Sequence, residues 1–242
     1  MLFRCVWAEV KKCRRAPVWL AFLALPLFPA ILGTGNYLSN MEVLDSGWYS
    51  LWSQHTLFSS LFFLPALLGV FCAWQWHLEY AGHNFNGFLA APVPIRDLFG
   101  AKLILSGMVC VLAQAWVGAL YLLSGRAAGL TQAPPPELPC WLAWGALGSI
   151  AVCAAQLFFS LAIRPFAPPV AIGLVGGILG LLVTSQGLGY AFPYSLLCLG
   201  MRANNPMLEL DALPFLLSAL AYTGAFSCLS IRLLRRRDVA AE

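Results

Sequence analysis

The chain has 242 residues, 60% of them hydrophobic and only 10% charged, with a formal net charge of +4. A soluble domain carries about 25% charged residues, so this chain lacks the polar side chains to cover its own surface. Intrinsic disorder, which needs low hydrophobicity and high charge, is excluded by the same figures. An integral membrane protein remains.

The first element lies in residues 2–15. Phe3, Val6, Trp7 and Val10 repeat at i, i+3, i+4 and i+7, and Arg4, Lys11, Lys12 and Arg15 fall on the opposite side. This pattern predicts a basic amphipathic helix lying in the inner membrane interface; the simpler reading is a basic flank that orients the chain. Pro17 permits a sharp turn into the next element. No small-residue cleavage site follows Ala30, so this start is expected to be retained and not removed as a signal peptide.

Six runs then lack Asp, Glu, Lys and Arg: 16–41, 46–78, 103–125, 138–163, 165–201 and 212–231. Each is long enough for the roughly 20 apolar residues that carry a helix across the hydrocarbon core. None alternates in the about ten-residue units of a membrane β-barrel. The expected fold is one all-α membrane domain with spans near 17–36, 54–76, 102–124, 139–162, 168–187 and 212–233. The fifth run is longer than one crossing and is broken by Gly187, Gly189 and Pro193, which predicts a polar-rimmed excursion after the span.

With both termini inside, the inner segments hold every Lys and Arg except Arg126 and Arg202. The positive-inside rule therefore places both ends in the cytoplasm. Basic residues beside span ends read as contacts to anionic lipid and not to nucleic acid.

Between spans one and two, the outer segment holds Glu42, Asp45, Trp48, Tyr49 and Trp52. It reads either as an aromatic belt or as a surface meeting a cationic, amphipathic ligand, with Glu42, Asp45, Trp48 and Trp52 as the contacts. Between spans two and three, residues 77–101 form the most polar inner segment. Gly82 and Pro92 bracket room for a short helix carrying Phe85, Phe88 and Leu89 on one side. Such a helix suits docking into a groove on a cytoplasmic partner; a connector dipping two aromatics into lipid is the alternative. His77, Glu79 and His83 match neither H-E-x-x-H nor another one-face helical spacing, so no metal site is expected.

In the fifth span, Gly173, Gly176, Gly177 and Gly180 form two overlapping G-x-x-x-G steps. Small residues four apart let helix backbones approach closely, either within the chain or across a dimer. The eight cysteines show no C-x-x-C spacing. Cys140 and Cys198 alone fall near the outer face, and a disulfide between them stays open. No nucleotide-binding loop, nucleophile elbow or paired intramembrane carboxylate occurs, so no catalytic residue is expected. No span interior carries an ionisable residue on these boundaries, which argues against a proton- or sodium-coupled carrier. The driving energy is expected from another subunit.

A resemblance joins these elements. Glu9-x-x-Lys12-x-x-Arg15 ahead of Trp19, then Gly33, Thr34, Gly35, Asn36 and Tyr37, resembles the start of the lantibiotic-protection permeases of ABC-2 type transporters. So do Gly47-Trp48, Leu51-Trp52 with Gln54, Leu57-Phe58 and Phe62-Phe63-Leu64-Pro65. In the inner loop, Leu78-Glu79-Tyr80, Asn84-Phe85, Pro92-Val93 and Lys102 continue it. The resemblance is densest over residues 9–102.

It implies an interfacial N-terminal helix, six spans, an inner coupling helix between spans two and three, and re-entrant helices within 188–211. It further implies a second permease chain, the same or different, and a separate ABC ATPase that binds ATP and magnesium. Glu79, Asn84, Phe85, Phe88, Pro92 and Arg96 would meet that ATPase. The implied task is to expel a lantibiotic-like antimicrobial peptide from a bacterial plasma membrane. A different ABC-2 substrate (a drug, lipid or polysaccharide) and a non-transporting scaffold or sensor are the other readings.

Overall fold

The computed structural model describes residues 1–81, 87, 92–207 and 209–236. Every regular element among them is helical. Helix α1 covers Leu2–Cys13. Span one is α2 (Val18–Ala24) and α3 (Leu27–Ser39), and span two is α4 (Trp48–Phe58), a π-helical turn (Ser59–Phe63) and α5 (Leu64–Tyr80). Spans three, four and five are α6 (Ile95–Ala127), α7 (Leu138–Ala162) and α8 (Ala167–Ser185). A short helix, α9 (Ser195–Gly200), precedes span six, α10 (Ala212–Arg236). Six helices are thus long and apolar enough to cross a membrane.

Two proline effects shape the outer spans. Pro26 lacks the N–H that would continue the ladder of α2, so span one breaks there and resumes at Leu27. Pro65 would collide with the carbonyl of Leu61 in a regular helix, and the π turn just before it takes up the extra residue.

Spans two and three are each 33 residues long, against the 23 expected for each; the charge-free run 46–78 already has the length of span two, whereas 103–125 falls short of span three. At 1.5 Å per residue each is about 50 Å long, against a hydrocarbon core of about 30 Å. Their ends therefore extend into the interfaces. For the same reason helix enters the segment 37–53 from both ends, and Trp48 and Trp52 belong to α4.

Span four is the centre of the bundle, with α5, α6, α9 and α10 packed around it. Lipid tails are as apolar as leucine, so close packing and hydrogen bonds hold such helices together. Gly145, Gly148, Ala151, Ala154 and Ala155 are all buried along α7. At Gly148 a Cβ would sit 2.6 Å from the carbonyl carbon of Leu196 and 2.8 Å from the amide of Leu197, so α9 lies backbone to backbone on span four. All six residues of α9 are buried. Non-helical backbone at membrane depth is tolerated only when protein covers it, and here span four does so. Arg202 closes this excursion by donating Nη1–H to the carbonyl of Leu199 at 3.0 Å, a cation at a helix C-terminus.

The fifth-span glycines also resolve within the chain. A Cβ on Gly177 would lie 2.5 Å from the Leu61 carbonyl oxygen and 2.6 Å from Pro65 Cγ. One on Gly176 would strike the Tyr194 ring at 2.7 Å, and one on Gly180 the Tyr194 carbonyl carbon at 2.9 Å. Within the chain the glycine stripe receives span two and the segment after span five, which is the helix-packing alternative. Leu61, four residues before Pro65, lacks an N–H partner from it; a Gly177 Cα hydrogen points at that freed oxygen, a weak but favourable contact.

Cys140 is exposed, Cys198 is buried in α9, and both are free thiols; the disulfide left open by the sequence is not formed.

Candidate functional site

Helix α1 presents Val6, Glu9 and Cys13 inward, at i, i+3 and i+7. Its main neighbour is span three. Lys12 was expected on the outward, basic face. Instead its ammonium turns under the helix to meet Glu9 Oε1 at 2.7 Å and Glu79 Oε1 at 2.5 Å. Lys102 of span three completes the group, with Nζ 2.7 Å from Glu79 Oε1 and 3.1 Å from Glu9 Oε2. Two carboxylates and two ammonium groups therefore alternate in a closed, neutral ring that joins α1, span two and span three.

The ring is buried. Lys102 has no exposed surface, and Glu79 and Glu9 are 5% and 6% exposed. Lys102 also donates to the carbonyl of Gln75 at 3.2 Å and sits 5.1 Å from the centre of the Trp76 ring. On the sequence boundaries Glu79 falls outside span two and Lys102 is the first residue of span three; in the structure both lie within the long helices of these spans. Both lie at the inner edge of the charge-free runs, where long helices enter the interface.

Burial alone would lower the Lys12 pKa, but the Glu9 and Glu79 carboxylates outweigh it and raise the value. Burial pushes the neighbouring Cys13 thiol up to about 11, with the Glu9 charge assisting.

A buried ion pair stabilises little against an apolar replacement, yet removing one partner costs about 3–5 kcal/mol because the other charge is left stranded. The ring's consequence is therefore geometric: it permits one mutual register of three elements. Span two is also registered on span four. Trp76 Nε1 donates to the carbonyl of Leu157 at 2.9 Å, and Tyr80 OH to that of Leu161 at 3.0 Å. One turn deeper, Cys72 Sγ lies 3.7 Å from the carbonyl of Cys153. Gln156 ties spans four and five: oriented to suit its neighbours, its amide donates to Pro169 O at 3.0 Å and accepts from Gly173 N and Tyr194 OH, both at 2.9 Å.

The other expected site residues are placed as follows. Glu79 is spent inside the ring and does not face outward to a partner. Asn84, Phe85 and Phe88, with His83, lie outside the described residues. Pro92 is exposed, and so is Arg96, whose Nε is 3.9 Å from Asp97. Glu42 and Asp45 are exposed at the turn between spans one and two. Trp48 and Trp52 are not: they are 3% and 0% exposed in an aromatic cluster with Tyr37, Tyr121 and Trp141. Their indole nitrogens donate to Gln132 O and Met201 O, so they hold the outer ends of the helices together and touch no solvent.

The model of the ABC-2 family transporter proteins matches residues 5–180. The chain belongs to this family. No curated protein sequence matches it significantly. The matched region contains most of α1, the first four spans, most of the fifth and the whole charge ring. This ABC-2 family member is the membrane-spanning component of an ABC transporter, and hydrolysis belongs to an associated ABC ATPase. Sequence reasoning singled out Glu9, Lys12, Glu79 and Lys102 only as parts of a resemblance. A signal for their pairing was present: two acids and two bases lie just outside the apolar runs on one side of the membrane.

Proposed function

We propose that this permease expels a lantibiotic-like cationic peptide from a bacterial plasma membrane, as self-immunity or resistance, with both termini cytoplasmic. The supporting observation is the charge ring. Glu9, Lys12, Glu79 and Lys102 all belong to the segments that resemble lantibiotic-protection permeases, and they converge although their ends are 93 residues apart. That the charged positions carrying the resemblance assemble into one unit supports this reading. The outer turn agrees with the substrate class: Glu42 and Asp45 stand beside exposed Met41 and Val43, an acidic and apolar pairing suited to a cationic amphipath.

In this reading the segment 77–101 receives the ATPase. Phe85 and Phe88 enter an apolar groove, with Arg96 and Pro92 at its rim. Glu79 and Lys102 of the ring bracket this segment in the sequence, so a push on the loop would reach α1 and spans two and three together. A second permease chain completes the complex.

The test is a susceptible bacterial host carrying the permease with its ATPase, challenged with a purified cationic lantibiotic. Protection that falls with Glu42→Gln and Asp45→Asn supports the reading. Efflux of a cationic dye without protection from the peptide would favour another ABC-2 substrate. For the loop, Phe85→Ala with Phe88→Ala should release the ATPase or abolish peptide-stimulated hydrolysis, since aromatic anchors cost about 2 kcal/mol or more on truncation. Reporter fusions at Asn40, Gln132 and Asn204 should read outside, and fusions at Gly82 and Glu242 inside.

A further inference from the structure

The C-terminal half of α1 and the adjoining half of span three flank a cleft of about 400 Å³, with Cys13 at its base, that the charge ring does not use. Its apolar wall is Val10, Trp19, Leu105, Met108, Val109 and Leu112, and its rim carries Lys11 and Arg14. A second cleft of about 330 Å³ continues from it, sharing Trp19, Val109 and Leu112 and ending at Trp116. Trp116 closes the far end by donating to the carbonyl of Leu23, at 3.2 Å, just before the break in span one.

We infer that this groove is a binding site for one anionic phospholipid of the inner leaflet. Three observations commit it to that occupant. The groove is apolar along its length and cationic at one end only, which is the charge layout of a phospholipid reversed. Lys11 and Arg14 are both exposed, and Lys11 is held 5.8 Å over the Trp7 ring at the mouth, so the rim is poised to meet a phosphate. The depth fits as well: from Leu105 to Trp116 span three rises about 16 Å at 1.5 Å per residue, half of a core about 30 Å thick. An acyl chain descending from the headgroup at Lys11 and Arg14 therefore reaches Trp116 at the leaflet's end.

The site has a consequence for the ring. Lys11 and Arg14 flank Lys12 and Cys13 in the sequence, and Cys13 also lines the cleft, so a lipid seated there bridges α1 and span three beside the ring. The phospholipid acts as a structural cofactor that seats α1, and this holds whatever substrate the transporter carries.

The experiment uses the purified permease–ATPase complex, stripped of lipid in detergent and returned to vesicles of phosphatidylglycerol or of phosphatidylcholine. Native mass spectrometry counts retained lipid, and thermal unfolding reports its effect. Phosphatidylglycerol should be retained at one molecule per permease and should raise the Tm, and phosphatidylcholine should do neither. Lys11→Gln with Arg14→Gln should weaken retention at least tenfold, because each basic residue at a membrane surface contributes about fivefold. Arg4→Gln with Arg15→Gln, which removes as much charge from α1 outside the cleft, should leave retention unchanged. Met108→Trp, which narrows the groove and keeps the charges, should also reduce it; this variant decides the matter should the charge variant not fold. Equal retention of both lipids, or equal loss from the two charge variants, would replace the site with diffuse surface attraction. Retention of no lipid, with a second permease chain covering the face, would overturn it outright.

Discussion

Trp76 donates its indole N–H to the carbonyl of Leu157 at 2.9 Å, and one turn away Tyr80 repeats the step onto Leu161. Spans two and four run in the same direction, so one four-residue stride on each helix reproduces the contact. An interhelical hydrogen bond in a membrane is worth about 0.6 kcal/mol on average. Tyr80→Phe should therefore cost about that much. Trp76→Ala, which also empties a fully buried ring site, should cost about 3–5 kcal/mol. Denaturant titration of the detergent-solubilised protein would measure both. Equal losses for the two would mean that the ladder, and not the packing, dominates.

The charge ring makes a sharper prediction. Lys102→Met strands Glu9 and Glu79 with Lys12 alone and should destabilise by about 3–5 kcal/mol. Adding Glu79→Leu removes the stranded charge, so the double variant should be more stable than Lys102→Met by itself. Lys12→Gln should cost less, because the Lys12 side chain is 35% exposed and water screens its loss. Additive effects of Lys102→Met and Glu79→Leu in a double-mutant cycle would show that the two do not interact.

Gly177→Leu should fail for an intramolecular reason. The new side chain meets the backbone of Leu61 and the ring of Pro65, neither of which can give way easily. Yield and thermal stability of the single chain should collapse. Gly224→Leu on span six, where nothing lies within 4 Å, should be tolerated. A Gly177→Leu chain that folds normally but loses only its permease partner would favour the dimer-contact reading.

Alkaline pH should loosen α1. The Lys12 pKa is raised in the folded state, so its contribution is complete below the ordinary 10.5 and is lost as pH climbs through the higher folded value. Cys13 acts in a neighbouring window: its thiol ionises near 9.0 when unfolded and at about 11 when folded, so stability drains away between those values. Tm measured from pH 8 to 11 should fall from about pH 9. Cys13→Ala should delay the onset to above about 10.5, and Lys12→Met should flatten the later decline. A Tm profile identical in all three chains would mean that α1 is not docked in solution.

Span number and approximate position were legible because a hydrocarbon core excludes charge, and charge-free runs report that exclusion directly. The expected spans 139–162 and 212–233 end within three residues of the helices Leu138–Ala162 and Ala212–Arg236, and the charge-free run 46–78 lies within two residues of the helix Trp48–Tyr80 at each end. Span three was misjudged by more, since its helix starts eight residues before the run 103–125: a run of apolar residues marks where lipid begins and not where a helix stops. The re-entrant helix in 188–211 was implied by resemblance, and α9 lies there.

What the amino-acid order determined by itself was exposure to lipid: which segments cross, and that no phosphate-binding loop stands among them. What only the tertiary structure decided was the choice of partner. Lys12 turns inward although it sits among four basic neighbours, the fifth-span glycines meet Pro65 and Tyr194, and Trp48 and Trp52 leave the interface for the interior. The physical reason is common to all three. Inside a membrane, lipid and protein are equally apolar, so hydrophobicity cannot say which face of a helix meets protein. That is settled by steric fit around small residues and by hydrogen bonds and charges that find one another across elements, and those pairings exist only once the helices are assembled.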